Sequence, residues 1–79
     1  MATRRQNERE YKYWEELSGG GRRYWSDRRG FISGFQRVIK IVDENEVTIQ
    51  VIQEIYDDVG ELIEHHQKYP HDTGHQTIL

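Results

Sequence analysis

The stretch from Phe35 to Tyr69 constrains this chain more than any other. It reads FQRVIKIVDENEVTIQVIQEIYDDVGELIEHHQKY, three runs rich in β-branched and aromatic residues broken by two short polar segments. Runs of that kind bounded by Asp, Asn and Gly read as strands joined by hairpins. The second break, Tyr56-Asp57-Asp58-Val59-Gly60-Glu61, fits a type I turn with Gly60 in the left-handed position. Tyr56 then faces Leu62, Ile55 faces Ile63 and Gln53 faces His65. The same turn over Val42-Asp43-Glu44-Asn45 puts Asn45 in the left-handed place, asparagine being the next best residue there. Ile41 then faces Val47, and Ile39 faces Ile49.

Both registers gather Phe35, Ile39, Ile41, Val47, Ile49, Val51, Ile55, Ile63 and Tyr69 on one face. The other face takes Gln36, Lys40, Thr48, Gln50, Glu54 and Glu64, with Val38, Ile52, Tyr56 and Leu62 among them. A slip of one residue in either hairpin would destroy this agreement, because side chains alternate with a period of two. Glu54 falls opposite Glu64, a like-charge pair that a neighbouring cation would have to relieve.

Upstream, two readings compete for Glu10 to Leu17. As a helix, the segment is preceded by a Thr3/Gln6 capping box, and Tyr11, Trp14 and Leu17 share a side. As a strand, YKYWEEL folds back on RRYW across Ser18–Gly20, pairing Glu16 with Arg22, Glu15 with Arg23, Trp14 with Tyr24 and Tyr13 with Trp25. Opposite charges and aromatic pairs across a hairpin are each worth roughly 0.2–1 kcal/mol, and the glycines supply the positive φ of a tight connection. The strand reading accounts for more residues. Ser26–Gly34 reads as a transition, with a polar turn at Asp27-Arg28-Arg29-Gly30 ahead of Phe31 and Ile32. Residues 1–9 read as a flexible arm and 10–70 as a single β domain. Residues 71–79 read as an irregular tail after Pro70, pinned by Ile78 and Leu79.

The expected fold is therefore an all-β antiparallel meander of about five strands in a strongly twisted sheet. The alternative is an α+β fold with helix 4–17 over a four-stranded sheet. At 79 residues the chain holds one domain with a thin core. With no cysteine there is no disulfide framework, and no apolar run reaches the roughly 20 residues of a membrane helix. No apolar segment follows Met1, so the expectation is a cytoplasmic protein without membrane contact. A core this thin gains most from self-association, so a homodimer or larger assembly is expected.

Charge is uneven along the chain. Residues 1–40 carry ten Lys and Arg against five acids, and residues 41–79 carry one Lys against nine acids. Arg22, Arg23, Tyr24, Trp25, Arg28 and Arg29 form the densest basic and aromatic cluster. Guanidinium groups neutralise phosphates and aromatic rings stack on unpaired bases, so this cluster points to RNA or to a protein partner. The plainer reading pairs Arg22 and Arg23 with Glu16 and Glu15 and puts the rings in the core. The overall pI of 5.7 supports that plainer reading.

The histidines His65, His66, His71 and His75, with Asp72, match no closed metal pattern, and neighbouring His65 and His66 point to opposite faces of a strand. No metal or other cofactor is expected. The contrasting functional class is a small metal-independent ribonuclease of the toxin type. His65 would move protons and Arg37 would stabilise the oxyanion, with Tyr69 close on the same strand. A histidine facing glutamine is more often a packing residue, so a non-enzymatic interaction module is the preferred reading.

Overall fold

The computed structural model describes residues 3–29, 34–74 and 76–77. A short helix, α1 (Arg4–Glu10), precedes six strands: β1 (Tyr13–Glu16), β2 (Arg22–Arg29), β3 (Phe35–Val42), β4 (Thr48–Tyr56), β5 (Leu62–Tyr69) and β6 (Gln76–Thr77). They form one antiparallel sheet in sequential order, the expected meander with a two-residue strand added. The first hairpin has the expected register at all four positions, from Tyr13 opposite Trp25 to Glu16 opposite Arg22. Leu17 N–H donates to the Gly21 carbonyl across Ser18–Gly20, where Gly19 and Gly20 take positive φ.

The arm expected over residues 1–9 is helical from Arg4. Thr3 and Gln6 form the reciprocal capping box, and Tyr11 N–H closes the last turn on the Asn7 carbonyl. The helix stops there, so the competing helix 4–17 is realised only in its first seven residues. Asp27, Arg28 and Arg29 are not a turn. They extend β2, opposite Arg37, Gln36 and Phe35. Phe31, Ile32, His75, Ile78 and Leu79 lie outside the described residues.

The expected single apolar face is overturned. Tyr56 does face Leu62, but Ile63 is then an extra residue in a bulge, and Ile55 pairs with Glu64 rather than Ile63. In the β3–β4 hairpin the left-handed residue is Glu46 (φ 67°), one position after Asn45. A second bulge at Ile49 shifts the ladder again, so Ile39 faces Ile52 and Ile41 faces Gln50. A third bulge at Lys68 puts Tyr69 opposite Val51. Each extra residue exchanges the two faces for everything beyond it. Phe35, Ile39, Ile41, Ile52, Tyr56 and Leu62 consequently share one side, while Val38, Val42, Val51, Ile55 and Tyr69 share the other. Glu54 and Glu64 are on opposite sides, so the expected like-charge pair does not exist.

Helix α1 lies on the second of these faces, above β2 and β3. None of its side chains is apolar, so polar contacts hold it. Arg4 Nε donates to Glu46 Oε1 at 3.0 Å, Asn7 Nδ2 to Glu46 Oε2 at 2.9 Å, and Lys40 Nζ to Asn7 Oδ1 at 2.9 Å. Tyr24 also donates to Glu46. Beneath this network are the fully buried Tyr24 and Val42, and Tyr11 packs against the Tyr24 ring at 5.8 Å. Burial alone would raise the Glu46 pKa, but donation from Tyr24, Asn7 and Arg4 outweighs it and holds the carboxyl below its ordinary value. The opposite face carries no helix among the described residues.

Candidate functional site

Strand alternation divides the basic and aromatic cluster between the two faces. Arg22, Tyr24 and Arg28 point to the helix-bearing side, and Arg23, Trp25 and Arg29 to the other. Two of the six are already used by the fold. Arg22 donates to Glu8 and Glu16, each at 2.7 Å, and the Glu8 contact above all raises its pKa. Tyr24 is wholly buried and bonded to Glu46, so it cannot stack on a ligand.

The other four border the outer edge of the sheet. Tyr13 and Trp25 stack with centroids 5.7 Å apart and planes inclined by 25°. The Arg23 guanidinium sits 4.8 Å from the Trp25 ring, and Lys12 Nζ is 5.6 Å from the Tyr13 ring. Glu15 tempers this charge, its carboxylate lying 3.7 Å from Arg23. Arg28 and Arg29 are exposed and, among the described residues, take part in no ion pair. Strand β1 reaches only as far as Trp25 along β2, and Lys12 N–H bonds the Ser26 hydroxyl. Beyond that point Asp27–Arg29 form the sheet margin. Tyr13 (43 % exposed) and Trp14 (40 %) present rings on opposite sides of β1.

The proposed catalytic group is reunited differently. The register aligns Asp27, Arg37, Glu54 and His65 across four neighbouring strands, so His65 faces Glu54 rather than Gln53. Arg37 and His65 do share a face, but the bulge at Lys68 sends Tyr69 to the other one. Arg37 grips Asp27 through Nε–Oδ1 (2.7 Å) and Nη2–Oδ2 (3.1 Å), a pairing that raises its pKa. It also lies over the stacked Phe35 and Tyr56 rings, 4.6 Å apart, and the Tyr56 hydroxyl donates to Glu54 at 2.8 Å. Glu54 is absent from the sequence-based group because neither the bulge at Ile49, which turns it to the face of Arg37, nor that at Ile63, which sets it opposite His65, leaves a signature in composition.

Of the histidines, His66 Nε2 lies 2.5 Å from Asp72 Oδ1, a contact that lowers the Asp72 pKa. His65 and His66 point to opposite faces. No three metal-ligating side chains converge among the described residues, and no described helix is long and apolar enough to cross a membrane. Comparison with protein-family models, curated proteins and solved structures returns no match.

Proposed function

We propose that this chain is a non-enzymatic recognition module that binds a polyanionic macromolecule, single-stranded RNA, along the β1–β2 margin of its sheet. One observation carries the reading: the half-exposed Tyr13/Trp25 stack is flanked by Arg23 and Lys12, with Arg28 and Arg29 exposed beside it. Stacking on a base costs this site little rearrangement, because the two rings are already stacked within 25° of each other and flanked by cations. Base–aromatic stacking contributes about 1–3 kcal/mol per base, and each phosphate contact adds a salt-dependent increment. A chain of net charge −3 reaches an anion only through a local basic margin, and Arg28 and Arg29 supply one here.

The ribonuclease reading rests on the shared row of Arg37, Glu54 and His65. It is the weaker one, since Asp27 already offsets the charge of Arg37 and takes its Nε and one Nη, which leaves a phosphate only part of the fork. Retention on immobilised single-stranded RNA tests the proposal. The expected result is salt-sensitive binding that is lost in Arg28→Glu/Arg29→Glu. Retention by that variant equal to wild type would count against it. RNA cleavage in EDTA that requires His65 would favour the enzyme instead.

A further inference from the structure

We infer that the face opposite α1 is covered by a second copy of this chain, stacked on it about a two-fold axis that runs along the strands between β3 and β4. Three neighbouring rows on that face lead to this arrangement: Trp25–Ile39–Ile52–Gln67, Asp27–Arg37–Glu54–His65 and Arg29–Phe35–Tyr56–Leu62. A charged row thus lies between two largely apolar ones.

The charged row is complementary to its own reverse. An axis between β3 and β4 brings β3 of one copy over β4 of the other, and β2 over β5. Arg37 then meets Glu54 of the second copy, Glu54 meets Arg37, and Asp27 meets His65. The same operation sets Ile39 on Ile52, and Phe35 on Tyr56. A two-fold contact must be self-complementary in this sense. Arg37 spends Nε and one Nη on Asp27, which leaves other N–H donors of its fork for a carboxylate across the interface. Sheets packed face to face cross at about 30°, so the β3/β4 pairs flanking the axis, Arg37/Glu54, Ile39/Ile52 and Phe35/Tyr56, stay better aligned than those of β2 and β5.

The area is sufficient. Four strands about 4.8 Å apart, each of eight or nine residues at roughly 3.3 Å, offer on the order of 500 Å² per copy. The pair therefore reaches the roughly 1,000 Å² at which specific association begins. Ile39 is the one buried residue of these rows, while Ile52, Phe35 and Leu62 keep part of their surface exposed. Strand β1 overhangs the four-strand footprint, so Tyr13 and Lys12 stay open, and Trp25 stands at the rim.

Sedimentation at micromolar concentration tests this with two charge variants. Wild type should sediment as a dimer. Glu54→Arg sets cation against cation and Arg37→Glu sets acid against acid, so each alone should dimerise about tenfold or more weakly. Mixed in equal amounts they should associate with one another, because each supplies the charge that the other lacks. A folding defect could not produce that recovery. A wild-type monomer, or a dimer indifferent to both substitutions, would overturn the inference. The two readings separate at Arg28, which points to the helix-bearing face outside this interface: Arg28→Glu should weaken RNA retention and leave the dimer unchanged.

Discussion

Tyr24 donates its hydroxyl proton to the carboxylate of Glu46, although the two residues lie in different hairpins and Glu46 sits in the left-handed backbone region. Glycine or asparagine ordinarily takes that place, and another residue persists only when its surroundings hold it there. Here Tyr24, Asn7 and Arg4 all donate to one side chain. This carboxylate fastens α1 to the sheet.

Replacing Glu46 therefore sets backbone relief against lost anchoring. Glu46→Gly gains up to about 1 kcal/mol from the backbone. It leaves Asn7 and the Tyr24 hydroxyl without their buried acceptor, at about 1–3 kcal/mol for each group stranded. The expected outcome is net destabilisation, with a lower midpoint in chemical denaturation and faster amide exchange over residues 4–10. Glu46→Gln should lose less, because it retains a carbonyl acceptor.

Asn7 is the second half of the latch, fully buried between Glu46 and Lys40. Asn7→Ala should cost about 1–3 kcal/mol by thermal denaturation. Arg5→Ala, two residues away and exposed, should stay within about 0.5 kcal/mol of wild type.

Acid should open the latch. The folded-state pKa of Glu46 lies below its ordinary value, so its contribution is complete above the ordinary carboxylate range. That contribution disappears as pH falls through the folded value. The groups facing it are Arg4, Asn7 and Tyr24, with Lys40 behind Asn7. Amide exchange over α1, corrected for intrinsic rate, should accelerate as pH falls below the ordinary glutamate range, and the change should be absent in Glu46→Gln.

Two glycines separate steric from conformational need. A methyl at Gly34 would lie 2.0 Å from the Tyr56 carbonyl oxygen, at a φ of +75°. At Gly60 nothing lies within 4 Å, and only the φ of +87° opposes a side chain. Gly60→Ala should cost about 1 kcal/mol, the usual left-handed penalty, and Gly34→Ala at least twice that in denaturant titrations.

These comparisons also show where the sequence was legible. Charge and aromatic pairing across Ser18–Gly20 were local, and they gave the β1–β2 register residue for residue. Gly60 marked its own turn. Glu46 carries no such mark, because its backbone is held by donors 22 and 39 residues away. The bulges at Ile49, Ile63 and Lys68 are likewise invisible to periodicity, since a pattern with period two survives an inserted residue with its faces exchanged. The division of the Arg22–Arg29 cluster followed from alternation alone. The burial of Tyr24 beneath a helix without apolar side chains did not.

The most direct measurement is the emission of Trp25 during titration with single-stranded RNA. Trp14→Phe removes the only other indole and leaves Trp25 as the reporter beside Tyr13 and Arg23. The account predicts saturable quenching that weakens as salt is raised and vanishes when Arg28 and Arg29 are reversed in charge. Emission that does not change with RNA at low salt would contradict it.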